Sequence, residues 1–325
     1  MNTHNRMRNL NDEDLLELTV AFDFELIFAD KSESPEYQTA EISYRGQQDS
    51  IVKVSAEVRT RGSFRLDPAN CNFPPLKLRL RGKNSKGTIF QGINELKMVT
   101  HCQDELEVYE HYLLQEYLFY RVFNILSDYS FRVRLCRVKY IDTGGSGRML
   151  EKYAFFVEDK DDLAERLNGN ILDVNIADPM GVDQDQYSLV SFFEFMIMNS
   201  DWSLPIMHNV EILSTDYFKP PYSIPYDFDW SKITDIPYML PGVGNRSDES
   251  RVRTYKGTCR SRKDFNRIIE IFNQHRLDIY RLYLGFEPLD NRYKQQTYSD
   301  YNDFYKLIND KELFRLNIKK ECNKY

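Results

Sequence analysis

An α+β chain in two lobes is what the sequence predicts. Three observations point there: strand-like alternation fills the first part, helical spacing dominates the second, and one long amphipathic helix interrupts the strands. The length, 325 residues, suits one large domain or two. With 42% hydrophobic residues, 22 Tyr and 21 Phe, the chain can bury substantial cores. The expected division is a β-rich lobe over 13–158, with its long helix at about 104–127, and a mainly helical lobe over 159–325. A cleft between such lobes is the usual place for a ligand.

The elements follow in order. Residues 16–28, 40–45, 51–60 and 75–81 alternate apolar and polar positions and read as strands. The stretch RGSFRLDPANCNFP between the last two is a loop by its Gly, Pro, Asn and Asp content. INELKMVT (93–100) is a further strand. In the long helix, Val108, Tyr112, Leu113, Tyr117, Tyr120, Phe123 and Leu126 recur at intervals of three or four, and Asp104 and Glu105 suit its first turn. Strands at 131–142 and 152–159 flank the turn TGGSGR. Beyond them the texture changes. DDLAERL is a short helix, QYSLVSFFEFMIMN (186–199) a strongly apolar one, and NVEIL (209–213) with YSIPYDF (222–228) forms a hairpin. A long loop covers 230–260, helix is expected over 262–286, and again from about 298.

Net charge, 43 − 50 = −7, argues against a general nucleic-acid binder. No apolar run approaches the roughly 18–20 residues a bilayer-spanning helix needs. The first residues show no secretory signal, so the expectation is cytoplasmic, or extracytoplasmic if a signal was removed. Five cysteines form no zinc spacing, and their odd number gives no disulfide framework. Cys71 and Cys102 are a conceivable pair in an exported form. His101–Cys102 could suggest a nucleophile, but such a dipeptide is more often structural.

The chemistry-bearing residues come in an informative order. A strand carries Lys77, the long helix Glu116, and the strand before the second lobe ends at Glu158. A buried helix then runs into Asp201 and Asn209, and Asp227 and Asp229 follow the hairpin. Protein kinases deploy a strand lysine, a helix glutamate, a catalytic Asp with an Asn, and a metal-binding Asp in this order. Carboxylate and amide oxygens suit Mg²⁺, and a lysine neutralises phosphate charge. The motifs GxGxxG, HRD and DFG are missing. Each residue also has a plain reading. Asp201 can cap a turn. Lys77, alternating with Arg79 and Arg81, can belong to a solvated face, with Lys97 in reserve. Trp202 and Trp230 suit a core or cleft wall, and His208 lacks a second His at metal spacing.

TRGSFR (60–65), CNFPPLKLRL (71–80), LKMVTHC (96–102), NSDWS…HN (199–209) and IPYDFDWS (224–231) together resemble the CotH-type family of spore-coat and secreted atypical kinases, and more closely a bacterial branch of it. The likeness runs from about 50 to 275. It implies a protein-kinase-like two-lobed fold, with ATP and Mg²⁺ (or Mn²⁺) as cofactors and protein hydroxyls as acceptors. By that resemblance Asp201 is the catalytic Asp, Asp227 the metal-binding Asp and Asn209 the second metal ligand. Asp229 is a further candidate acid. The Asp201–Asn209 interval is longer than the usual one of about five residues. Lys77, Glu116, Glu158, Arg61 and Gly62 are the expected nucleotide contacts, the last two as a tight loop near phosphates. Arg246, Arg251 and Arg253 are where acceptor contacts are expected. The alternatives are a catalytically silent nucleotide-binding pseudokinase serving as an envelope or coat interaction module, and a protein adenylyltransferase.

Overall fold

The alternating segments close on themselves. In the computed structural model, which describes residues 14–32, 34–80, 82, 85–236 and 252–324, strands β1 (Leu16–Phe22), β2 (Gln38–Arg45), β3 (Ile51–Thr60), β4 (Leu76–Leu80), β5 (Glu95–Val99), β6 (Val133–Asp142) and β7 (Met149–Val157) form a closed barrel in the order β1-β2-β3-β4-β5-β7-β6. Neighbours are antiparallel except at the seam. There β1 lies parallel to β6 with Leu16 opposite Cys136 and Phe22 opposite Asp142.

This corrects the expectation of a protein-kinase-like two-lobed fold with a β-rich lobe and a mostly helical one. Full pairing of β1 with β6 removes both sheet edges, and a closed mixed barrel is a different architecture. Alternation fixes what fills it. Val20, Phe22, Ile42, Val54, Val58, Leu76, Leu78, Met98, Val138, Tyr140 and Phe156 are buried in one core. Phe73 packs into the same core, with ring centroids 4.6 Å from Tyr140 and 4.9 Å from Phe28.

Two local differences have clear causes. The segment expected as a strand over 16–28 turns helical at α1 (Phe24–Ala29), because the Asp23 side chain caps it, accepting from the Leu26 N–H at 2.9 Å. The loop before β4 contains a disulfide, Cys71–Cys102, so Cys102 is no nucleophile. His101 beside it is buried and sits 2.5 Å from Asp104.

The chain divides into two compact units, residues 1–113 with 132–159 and residues 114–131 with 160–325. Helix α2 (Val108–Leu126) is thus shared: its residues to Leu113 count with the barrel, and those from Leu114 with the second unit.

In the second unit, the short helix α3 (Lys160–Arg166) precedes a three-stranded sheet of β8 (Asn170–Ile171), β9 (Val210–Ser214) and β10 (Tyr222–Pro225) in the order β10-β9-β8. Helix α4 (Gln184–Met196) is buried from Gln186 to Met196, as its nearly unbroken apolar sequence requires. Phe193 of α4 packs on Phe123 of α2 with centroids 4.8 Å apart. The single helix expected over 262–286 is two, α5 (Arg262–Gln274) and α6 (Arg276–Gly285), which meet at His275. Helices α7 (Asn291–Asn309) and α8 (Lys311–Phe314) follow. No helix among the described residues is long and apolar enough to cross a membrane.

Candidate functional site

The buried helix α4 delivers the chain to the site. Its last carbonyls need partners, and Arg253 supplies them: one guanidinium nitrogen donates to the carbonyls of Phe195 at 2.9 Å and Met196 at 2.5 Å. Arg253 thus has a structural task, whereas Arg246 and Arg251 lie outside the described residues. The chain then reverses at Met198, whose φ is +55°. Asn199 pairs with Ser231 in an antiparallel bridge, so the stretch leading to Asp201 runs beside the stretch leaving Asp229.

Between Asp201 and β9 lies a tight loop. Ser203 and His208 exchange backbone hydrogen bonds of 2.9 Å in both directions, and buried Trp202 and Leu204 anchor its base. Met207 and Asn209 adopt left-handed φ values of +52° and +55°, and Asp227, just past β10, has φ +61°. Left-handed backbone at non-glycine residues costs energy and concentrates where function demands it.

The loop folds Asn209 back onto Asp201. Its Nδ2 donates to the Asp201 carbonyl at 2.7 Å and to the Asp201 carboxylate at 3.2 Å. The Nε2 of His208 lies 3.0 Å from the other carboxylate oxygen. The Asp201 N–H donates to Oδ1 of Asn199 at 2.9 Å, which fixes the residue from behind. Asn209 also ties in the hairpin, because its carbonyl accepts from the Tyr226 N–H at 3.1 Å. The next N–H, that of Asp227, donates to the Tyr120 hydroxyl of α2 at 2.8 Å. Three of the expected residues, Asp201, Asn209 and Asp227, are therefore joined through one short chain of bonds. Asp229 is buried close by along the chain.

Two ionisable groups outside the expected set lie behind this loop. Glu194 of α4 is fully buried, and neither carboxylate oxygen makes a hydrogen bond. Burial pushes its carboxyl well above the usual range; the nearby Asn199 amide, whose Nδ2 makes no bond of good geometry either, and the Lys256 charge offset this only in part. Lys256 donates to the carbonyls of Ser200 and Trp202. A lone acid in the run FFEFM is a visible signal for Glu194. Nothing in the sequence marks Lys256, and His208 draws notice there only as a metal ligand.

The expected nucleotide contacts are placed as follows. Lys77, on the barrel wall, is ion-paired to Glu95 of β5, which also accepts from Tyr37 at 2.9 Å and Arg79 at 3.2 Å. Its charge is thus met within a surface ladder of the barrel, while Arg81 lies outside the described residues. Glu158 is buried, its N–H donates to the Arg132 carbonyl at 2.9 Å, and its carboxylate accepts the Arg132 N–H at 3.1 Å. That backbone N–H is already committed. In the loop after β3, the Arg61 N–H donates to the Pro75 carbonyl at 2.9 Å, and Gly62 has φ +89° with open space where a side chain would stand. Glu116 is buried on α2.

Among the described residues no group of three or more His, Cys, Asp or Glu side chains is arranged to hold a metal ion. Asp227 and Asn209 carry a carboxylate and an amide, oxygen types that suit Mg²⁺, which commonly takes one or two protein oxygens and fills its sphere with phosphates and water. With the Asn209 Nδ2 donating to Asp201, the acceptor side of its amide is Oδ1. No protein-family model matches this chain, and no curated protein matches its sequence.

Proposed function

We propose that the second unit carries a Mg²⁺-dependent phosphotransferase centre that moves the γ-phosphoryl group of ATP to a hydroxyl, with Ser or Thr of a protein as the acceptor class. The observation that carries this reading is the double tie of Asn209 to Asp201, with His208 on the same carboxylate. A carboxylate held by neighbours on both oxygens, yet about a third exposed, is oriented and still reachable by an acceptor. The reading rests on this loop and hairpin, and not on a kinase-like fold.

In this scheme Asp201 orients the acceptor hydroxyl and takes its proton as the new oxygen–phosphorus bond forms and the bond between the γ-phosphorus and the β–γ bridging oxygen breaks, releasing ADP. His208 keeps the carboxylate aimed, and Asn209 fixes its second oxygen. Asp227 and the Oδ1 of Asn209 would hold Mg²⁺, which when bound neutralises phosphate charge. In this reading the hydrogen bonds of the Asn209 side chain and the Asp227 N–H hold these residues in place, so that little reorganisation is needed, which is where phosphoryl transfer gains most.

Calorimetric titration of ATP, with and without Mg²⁺, against the wild type and Asp227→Ala tests the site. Saturable binding that needs Mg²⁺ and disappears in the variant is expected. Labelled ATP then tests the reaction: γ-label should reach a Ser/Thr peptide pool and fail to do so in Asp201→Asn. Transfer of α-label would mean adenylyl transfer, and binding without either transfer a silent nucleotide module. No Mg²⁺-dependent binding by the wild type would sink the proposal.

A further inference from the structure

We infer that Lys256 is a positioning residue for the Asp201 loop, held in place by the Cys259–Cys322 disulfide and Asn323; the catalytic part of this inference rests on the phosphotransferase reading. The ammonium group donates to the carbonyls of Ser200 at 2.7 Å and Trp202 at 3.0 Å, the two that flank Asp201. One side chain thereby closes both sides of the residue whose carboxylate faces the acceptor. A cation suits the place, because it neighbours the charge of Asp201 and the carboxyl of Glu194. Burial draws the Lys256 pKa down and those two acids raise it in part.

The backbone of Lys256 is fastened to the far end of the chain. The Asn323 side chain donates to the Lys256 carbonyl at 2.8 Å, and the Asn323 N–H to the Gly257 carbonyl at 2.9 Å. The Cys259 N–H returns a bond to the Asn323 carbonyl at 2.9 Å, and Thr258 bridges Asn323 in parallel. The disulfide between Cys259 and Cys322 lies beside all of these. Gly257 has no room for a side chain: an added Cβ would press on the Tyr255 ring and come within 2.8 Å of Ser191 Cβ. Tyr255 in turn is buried against Phe192 and Phe195.

Hydrogen–deuterium exchange and transfer kinetics on the full chain test this together, using Lys256→Met, Lys256→Arg and Cys322→Ser. In Lys256→Met, amides of 199–209 should exchange faster while the barrel is unchanged. Turnover should fall roughly ten- to hundred-fold, as misplacement of a reacting group by about an ångström does, with KM for Mg·ATP within about two-fold. Lys256→Arg should recover part of both, and Cys322→Ser should shift both in the same direction by less. Wild-type exchange over 199–209 in Lys256→Met would overturn the inference and leave the phosphotransferase reading standing. Faster exchange with unchanged turnover would overturn the positioning role. If the wild type transfers nothing, the function fails while the exchange arm still decides the clamp. Should Lys256→Met not fold, Lys256→Arg and Cys322→Ser separate the same outcomes.

Discussion

Asn209 grips Asp201 at two points, its main-chain carbonyl and its carboxylate, with a single amide nitrogen. It does so from a left-handed backbone that asparagine tolerates better than most residues. Three variants separate these contributions. Asn209→Ala loses the bonds and adds strain, Asn209→Gly loses the bonds and relieves it, and Asn209→Asp brings a second charge against Asp201.

For stability, Asn209→Ala is expected to cost about 2–3 kcal/mol, since a hydrogen bond to a charged group is worth about 1.5–3. Asn209→Gly should be less harmful by about 1 kcal/mol, the steric cost of a left-handed L-residue. Equilibrium urea unfolding of the three proteins checks the order. Equal stability of the Ala and Gly variants would mean that the backbone conformation is not strained.

Glu194 gives a pH test. A carboxyl whose pKa is raised in the folded state binds its proton more tightly there than when unfolded. Folding stability is therefore unpenalised below the unfolded value of 4.5 and falls as pH rises from there toward the folded value. Glu194→Gln removes the titration. The variant should equal the wild type near pH 4 and gain on it above, with a limiting slope of about 1.4 kcal/mol per pH unit for one proton. A difference between the two that is flat from pH 4 to 8 would contradict the neutral, buried carboxyl.

The two disulfides close sequence separations of 31 and 63 residues. Chain entropy alone assigns each about 4 kcal/mol. Cys71→Ser/Cys102→Ser should lower the melting temperature without altering exchange at 199–209, because that bond staples the loop before β4. Cys259→Ser/Cys322→Ser should do both. Thiol counting of the purified protein under denaturing conditions comes first: one reactive thiol, from buried Cys136, is expected.

Legibility follows the range of the forces. The strand Ile51–Thr60 is readable to the residue, because its alternation is local. Phe24–Ala29 passes for strand continuation, since a short apolar run looks alike in both states and only Asp23 announces a helix. Barrel closure is invisible: it depends on Leu16 meeting Cys136, a pairing that no local pattern encodes. The site divides in the same way. Asp201, Asn209 and Asp227 stand out through residue type and order. Lys256 does not, because a loop lysine gains its meaning only from the carbonyls it reaches. Lys77 is visible, but its partner Glu95, on the neighbouring strand, is not announced by any local pattern.

The last prediction concerns Tyr120, which links a buried helix to the candidate metal-binding acid. Its hydroxyl accepts the Asp227 N–H at 2.8 Å, and its ring packs on Phe228 with centroids 4.6 Å apart. Tyr120→Phe keeps the ring and removes this acceptor from the left-handed residue that must hold its shape. The loss should cost about 1 kcal/mol, the low end of the penalty for a donor deprived of its acceptor, because this bond is only partly buried. If Asp227 holds Mg²⁺, the Mg²⁺ concentration needed for ATP binding should rise as well, while ATP affinity at saturating Mg²⁺ stays near the wild-type value. That split is diagnostic, because a generally loosened fold would weaken binding at saturating Mg²⁺ too. Titrations of Tyr120→Phe at limiting and saturating Mg²⁺, beside the urea midpoint, measure it. A wild-type Mg²⁺ requirement in a variant that is measurably destabilised would show that the Asp227 backbone does not set the cation site, and the role of Asp227 would then have to rest on its side chain alone.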